Sequence, residues 1–390
     1  MDKTNISNFM KKYTMVIALI VVTLFFTLQT SGKILLPQNV TNLIAQNAYV
    51  FILATGMLLC ILTGGNIDLS VGSVVCFVGA VGATFMEKMG VNIVLAVVIM
   101  MVLGLIIGAL QGYWIAYVRV PPFIVTLAGM LIFRGLSNVV LNGQTVSIKS
   151  KTFIRIFGGG ANCYIPDLFH VKGVNVTSII VGAIAVILFI AITFKNYITR
   201  KRNGEKSSLI LFIVRTVIIC AFIIVFTYKL SLYKGIPTSL IWVAIVVAIY
   251  AYITSKTTIG RHFYAVGGNE KATKMSGINT NKVYFLAYAN MGLLAGLAGM
   301  LTIARMTSAQ PTYGQNYEMD AIASCFIGGA SAYGGIGTVP GVIIGAVLMG
   351  VINLGMSIMG VDANYQKVVK GLVLLVAVIF DVVSKRQKNK

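Results

Sequence analysis

Apolar residues occur along this chain in long uncharged runs that are separated by short polar segments. Each run approaches the roughly 20 residues that an α-helix needs to cross about 30 Å of hydrocarbon at 1.5 Å per residue. Runs such as 91–118 and 176–194 are apolar on every face. Strands of a membrane barrel would instead alternate apolar and polar residues over segments of about ten. The pattern predicts an all-α, polytopic integral membrane protein with about 10–12 transmembrane helices.

The predicted helices are 13–31, 43–63, 69–87, 91–118, 122–141, 176–194, 209–228, 238–254, 283–304, 319–333, 338–358 and 367–383. The first run is too long for the apolar core of a secretory signal, so we interpret it as a retained helix. The short segments beside Gly64-Gly65 and Gly334-Gly335 are candidates for broken or re-entrant half-helices, or for a diverged repeat. Gly104, Gly108 and Gly112 recur every four residues, which predicts close helix packing.

Composition indicates that lipid is the solvent of this chain. Hydrophobic residues make up 57% of its 390 residues and charged residues only 11%, which a water-soluble domain could not solvate. The net charge of +21 does not indicate nucleic acid, because the basic residues lie between the predicted spans. The five cysteines show no spacing typical of a metal site or a disulfide. We therefore predict no metal and no cofactor bound by this chain.

The distribution of Lys and Arg predicts that both termini are cytoplasmic, because short basic loops stay on that side. With the N-terminus inside, the inner segments hold about twice as many Lys and Arg residues as the outer ones. An even number of spans then places the basic tail 385–390 inside. We predict one transmembrane domain over 1–390, with an extracytoplasmic loop at 142–175, a basic cytoplasmic loop at 195–208 and a cytoplasmic segment at 255–281.

The cytoplasmic segment contains the pattern of a short capped helix. Asn269 can act as the N-cap, Glu270 suits the positive start of a helix, and Gly277 can adopt the positive φ that ends one. Ala272 and Met275 share a face and could press into a groove on another protein. An ordinary surface loop with an interfacial helix is the alternative interpretation.

This stretch resembles the coupling helix of the permease subunits of bacterial monosaccharide ABC importers, the ribose, xylose and galactose group. The motif of that family is E-A-A followed by a glycine, which Glu270, Ala272 and Gly277 resemble, although Lys271 replaces the first alanine and the glycine comes one position later. Other segments of the chain resemble the same family and occur in the same order: 62–73, 292–299, 304–305, 317–323, 327–331, 334–339 and 370–381. The additional spans within 195–254 make the chain most similar to xylose-type and multiple-sugar permeases.

The resemblance implies the membrane-spanning permease subunit of an ATP-binding-cassette importer in the cell inner membrane. Its substrate would be a monosaccharide such as xylose, galactose or ribose, delivered by a periplasmic or lipid-anchored binding protein. The implied partners are ABC ATPase subunits that carry ATP and Mg, a second permease copy and membrane lipid, with no nucleic acid. The chain has no G-x-x-x-x-G-K-[ST] phosphate loop, so we expect it not to be an enzyme. The residues implied in ATPase coupling are Gly267, Gly268, Asn269, Glu270, Ala272, Met275 and Gly277.

Polar residues within the apolar runs are candidate contacts for a solute. A charge at the centre of a membrane helix costs about 2.5–3.5 kcal/mol on insertion scales, so few are expected without a purpose. Each such residue is individually more typical of a hydrogen bond between helices, whereas the set could line a path for a polyhydroxylated, uncharged solute. The set is Asn47, Asn66, Asp68, Arg134, Asn290, Arg305, Glu318, Asp320 and Asn353.

Two other functional classes remain open. An ion-coupled secondary transporter or facilitator of a small polar solute usually has acidic or histidine residues in mid-span. Here the acidic residues lie mostly near span ends, and His170 and His262 lie in predicted loops. A membrane-embedded enzyme would need a metal cluster or a nucleophile beside a base, and the sequence suggests neither. Dependence of uptake on a co-expressed ATPase distinguishes the importer from the secondary transporter.

Overall fold

A computed structural model describes residues 3–158, 163–169, 171, 173–202 and 209–386 of the chain. Its helices are α1 (Lys3–Gln29), α2 (Pro37–Leu62), α3 (Val71–Ala83), α4 (Ile93–Ala116), α5 (Pro122–Leu141), α6 (Lys151–Phe157), α7 (Val176–Arg202), α8 (Leu209–Ser231), α9 (Thr238–Lys256), α10 (Thr258–Gly268), α11 (Glu270–Met275), α12 (Thr280–Met306), α13 (Tyr317–Ile327), α14 (Val339–Ile358) and α15 (Ala363–Arg386). Two short strands, β1 (Val146–Ser147) and β2 (Ser308–Ala309), pair antiparallel.

The prediction of an all-α polytopic membrane protein is confirmed. Across the described ranges, eight helices are long and apolar enough to cross a membrane: Pro37–Leu62, Val71–Lys88, Ile93–Ala116, Pro122–Leu141, Val176–Thr199, Thr238–Lys256, Thr280–Met306 and Val339–Ile358. The second of these combines α3 with a π-helical turn, Thr84–Lys88. Shorter apolar helical stretches occupy Met15–Gln29 and Thr216–Ser231. The cytoplasmic position of the termini stays a prediction.

One predicted span, 319–333, is wrong. Helix α13 has only 11 residues, which cover about 16 Å at 1.5 Å per residue. It ends at Ile327 because the next glycines change the backbone direction, with Gly329 at φ +83°. No helix follows until α14 begins at Val339. Gly64-Gly65 and Gly334-Gly335 both lie between helices, as the sequence indicated.

The chain divides into two compact units. The first comprises Met1–Ile34, Leu43–Cys163 and Ser239–Lys390, and the second comprises Leu35–Asn42 and Tyr164–Thr238. The assignment of a single permease domain stays a prediction. In the second unit, α7 continues to Arg202, so the predicted basic loop 195–208 is helical over its first part. The rest of that loop, 203–208, lies outside the described residues.

Close helix packing through glycine is confirmed in the first unit. Helices α4 and α12 meet where Gly104 and Gly108 face Gly292 and Gly296. A Cβ added at Gly108 would lie 2.8 Å from the Cα of Gly292, closer than real side chains allow. Lipid gives helices no hydrophobic reason to associate, so such small residues let dispersion forces hold the two backbones together.

Candidate functional site

Helix α11 has the caps that its sequence predicts. The Asn269 Oδ1 accepts a hydrogen bond from the Ala272 N–H at 3.0 Å, which satisfies one of the free donors at the helix start. Gly277 follows the helix at φ +82°, a conformation that favours glycine. Ala272 is exposed and Met275 is 89% exposed. The short capped helix is therefore confirmed, and its apolar face has no covering within the described residues.

Three side chains of the first unit bind the carboxylate of Glu270. The Arg119 Nη1 lies 2.9 Å from its Oε1, the Thr280 hydroxyl donates to the same oxygen at 3.2 Å, and the Tyr284 hydroxyl donates to Oε2 at 3.0 Å. Partial burial opposes ionisation of this carboxyl, but the hydrogen bonds and charge of its neighbours outweigh it and lower its pKa. Glu270 therefore stays ionised at neutral pH, and the contacts are lost only as the pH falls through this lowered pKa.

The pairing of Arg119 with Glu270 was not predicted from the sequence, because Arg119 precedes Glu270 by 151 positions. Arg119 lies in the connection 117–121 between α4 and α5, at the left-handed φ of +65°. Its Nη2 also donates to the Asn281 Oδ1, and its guanidinium lies 5.4 Å from the centre of the Tyr284 ring. Arg119 therefore joins α11, the start of α12 and the α4–α5 connection.

The two glycines that end α10 have different surroundings. A Cβ on Gly267 would overlap the backbone of Leu62 and Gly335, whereas a Cβ on Gly268 would meet no atom within 4 Å. The predicted coupling segment therefore has one glycine fixed by its neighbours and one that faces open space.

Asp68 organises the start of α3. The residue is 2% exposed, and its Oδ1 accepts from the Ser70 N–H at 2.8 Å and from the Ser70 hydroxyl at 2.7 Å. The Gln111 Nε2 donates to that hydroxyl at 2.9 Å, which links α4 to the turn. Asp68 Oδ1 is thus bound locally by both donors of Ser70.

Asp320 forms a buried ion pair between helices. The Lys370 Nζ lies 2.9 Å from Oδ1, with the two side chains 20% and 2% exposed respectively. The Tyr49 hydroxyl donates to Oδ2 at 2.7 Å, so α2, α13 and α15 converge on one carboxylate. Sequence reasoning missed Lys370, although a lysine that lies within the predicted span 367–383 was an available signal.

Arg305 lies in a pocket beside Tyr49, whose hydroxyl donates to Asp320. It lines a small pocket together with Tyr49 and Tyr317, whose rings stack with centroids 3.5 Å apart. The three side chains cluster where α2, α12 and α13 approach one another.

Arg134 and Glu318 lie on a cleft of about 250 Å³. Arg134 Nη1 donates to the carbonyls of Pro311 at 3.1 Å and Tyr313 at 2.6 Å, which orients the guanidinium. Glu318 is 8% exposed. The complete lining is Met130, Leu131, Arg134, Gln315, Asn316, Glu318 and Lys367. The cleft therefore offers charged and amide groups over a partly apolar floor.

The remaining predicted residues hydrogen-bond to another helix or within their own segment of the chain. The Tyr250 hydroxyl donates to Asn290 Oδ1 at 2.9 Å, Asn353 Nδ2 donates to Asn47 Oδ1 at 3.5 Å, and Asn66 Nδ2 donates to the Thr63 carbonyl at 3.1 Å. These three sites are separate from the cleft. In the part of the chain that the structure describes, no group of three or more His, Cys, Asp or Glu residues is arranged to hold a metal.

Comparison with known proteins matches the family described as "branched-chain amino acid transport system / permease component" over residues 39–194 and 160–378. The xylose transport system permease protein XylH of Haemophilus influenzae is 38% identical over 378 residues, covering 96% of this chain and 97% of that protein. XylH of Escherichia coli K12 is 37% identical over 376 residues, covering 96% and 92%. The ribose import permease protein RbsC of Escherichia coli K12 is 35% identical over 373 residues, covering 95% and 94%. No solved structure matches the chain.

Proposed function

The chain belongs to this family of transport-system permease components and is the permease subunit of a sugar ABC importer; from that premise we propose that it forms the membrane path for a monosaccharide such as xylose or ribose. The observation that carries the proposal is the identity of 38% over 96% of this chain with a xylose permease. It is a multi-pass protein of the cell inner membrane. Its family implies ATPase and binding-protein partners.

Coupling to ATP hydrolysis is assigned to α11. The exposed Ala272 and Met275 supply an apolar knob for a groove on an ATPase partner. The Glu270 carboxylate, which is bound by Arg119, fixes the orientation of α11 relative to the α4–α5 connection. ATP and Mg bind to the partner subunits, which supply the energy, and this chain transmits their movement to the membrane path.

The cleft around Arg134 and Glu318 is the proposed sugar contact on the path. A polyhydroxylated solute needs donors and acceptors that replace its hydration, and this cleft presents both over an apolar floor. A second copy of the permease would enclose the open side of the cleft. We assign five predicted residues to helix packing, because each makes at least one hydrogen bond within the fold: Asn47, Asn66, Asp68, Asn290 and Asn353.

Replacing Glu318 with leucine is expected to lower the uptake rate about tenfold, because a lost hydrogen bond to a charged group is worth about 1.5–3 kcal/mol. Glu318→Gln keeps the shape of the side chain and is expected to lose less. Uptake of labelled sugar at saturating binding protein measures both variants. The control is Met319→Leu on the same helix, whose side chain is 43% exposed and does not line the cleft. Wild-type uptake by Glu318→Leu would remove the cleft from the path.

The function itself is tested in cells that express the chain with its ATPase and binding-protein partners. We expect uptake of labelled xylose or ribose, and loss of that uptake when the ATPase partner carries a substitution that prevents hydrolysis. Persistent uptake with the inactive ATPase would favour the ion-coupled transporter.

A further inference from the structure

Three backbone segments from distant parts of the first unit meet at one point. They are 62–65 at the end of α2, 267–268 at the end of α10, and 334–335 before α14, and we call this meeting the glycine junction. The Gly335 N–H donates to the Leu62 carbonyl at 3.0 Å. A Cβ on Gly335 would lie 2.9 Å from the Gly268 nitrogen and 3.1 Å from the Gly267 carbonyl carbon. Backbone therefore rests directly on backbone in all three segments.

The first and third of these segments, 62–65 and 334–335, also approach each other closely. A Cβ on Gly65 would lie 2.9 Å from the Ala332 carbonyl carbon, and one on Gly334 would lie 2.9 Å from the Gly65 nitrogen. Gly64, Gly65, Gly334 and Gly335 all have positive φ, between 69° and 115°. Gly65, Gly334 and Gly335 combine a conformation that favours glycine with contacts that exclude any side chain, whereas a Cβ on Gly64 would meet only the Tyr284 hydroxyl, at 3.9 Å.

The segments 62–65 and 334–335 are each joined, along the chain, to a helix that carries polar groups or begins beside one. Residues 66–70 follow the first break and carry Asp68 into the start of α3, while 328–333 connect the second break to α13, which carries Glu318 and Asp320. The Tyr264 hydroxyl of α10 donates to the Gly337 carbonyl at 2.8 Å, which adds a second tie between α10 and this break. The junction thus lies between the coupling segment and the half-helix that carries the cleft residue Glu318.

We propose that the glycine junction is the route by which a displacement of α10–α11 reaches α3 and α13, with Gly267 and Tyr264 as positioning residues. The proposal rests on the proposed function of α11. Contacts between backbones leave no flexible side chain to absorb a movement, so a shift of α10 must move both breaks together. Movement of α13 would then change the position of Glu318 in the cleft.

Gly267→Ala and Gly371→Ala form a matched pair of helical glycines that tests the route. The added methyl of Gly267→Ala would press on Leu62 and Gly335, whereas that of Gly371→Ala, on α15, meets open space. In proteoliposomes with the ATPase and binding-protein partners, we expect ATP hydrolysis to continue in both variants. The sugar transported per ATP hydrolysed should fall about tenfold in Gly267→Ala and stay within about twofold of wild type in Gly371→Ala.

Tyr264→Phe keeps the packing and removes only the hydrogen bond to Gly337, so it decides the question if Gly267→Ala fails to accumulate in the membrane. We expect transport per ATP to fall by about threefold, a size typical of one lost neutral hydrogen bond. Tyr252→Phe, at a residue 64% exposed on α9, is the control. The proposed route would be overturned if Tyr264→Phe and a folded Gly267→Ala both transported as much sugar per ATP as the wild type. That result would not contradict ATP-dependent transport by the wild type. Failure of the wild type itself to show ATP-dependent uptake would instead contradict the proposed function.

Discussion

Lys370→Met is expected to destabilise the protein by about 3–5 kcal/mol, because it leaves the buried carboxylate of Asp320 without its cation. The Lys370 Nζ is 2.9 Å from Asp320 Oδ1, and the Asp320 side chain is only 2% exposed. After the substitution the Tyr49 hydroxyl is the remaining side-chain donor to Asp320. Thermal unfolding of the purified protein in a mild detergent, followed by size-exclusion chromatography, measures the loss.

The double variant Asp320→Asn with Lys370→Met separates the charge from the shape. Removing both charges together leaves no uncompensated ion, so most of the lost stability should return. Lys367→Met is the control, because Lys367 is an exposed lysine one helical turn earlier on α15 and should lose no stability. Equal stability of Lys370→Met and wild type would show that the ion pair does not hold α13 to α15.

Glu270→Arg is expected to leave insertion and ATP hydrolysis intact but to lower the sugar transported per ATP at least about tenfold, equivalent to about 1.4 kcal/mol of coupling. The new cation would face Arg119 across the 2.9 Å contact that now joins opposite charges, and α11 would lose its tie to the α4–α5 connection. Gly277→Val should uncouple as well, because valine strains the φ of +82° at that position. Parallel assays of uptake and phosphate release measure the ratio.

A charge swap shows where Glu270 acts. Arg119→Glu combined with Glu270→Arg restores the attraction inside this chain but not any contact of Glu270 with the ATPase. Partial recovery of coupling in the double variant would support the internal tie. Absence of any recovery would assign Glu270 to a direct contact with the partner.

Local chemistry predicted both caps of α11. Asn269 as N-cap and Gly277 as C-terminal glycine depend on neighbours within a few residues, and the structure confirms both. The partner of Glu270 was not predictable in the same way, because Arg119 is a loop residue that only the tertiary fold brings close. The glycine breaks were visible in the sequence, but their contact with Gly267 depends on packing among three distant segments.

The candidate path was predicted only in part. Arg134 and Glu318 line one cleft, while Asn290 and Asn353 bond to other helices. A single polar residue in an apolar run does not reveal which face of its helix meets a neighbour. The error at 319–333 has a related cause, because an apolar composition continues past Ile327 while the positive φ of Gly329 prevents the helix from continuing.

We expect this chain to move sugar only when ATP is hydrolysed on its partners, and uptake by purified proteoliposomes measures this dependence. Vesicles that contain the chain and its ATPase subunits, with sugar-loaded binding protein on one side and ATP and Mg on the other, should accumulate labelled xylose or ribose. Vesicles that contain the chain alone under a proton or sodium gradient should accumulate none. Accumulation driven by the gradient without ATPase subunits would contradict the importer and identify a secondary transporter.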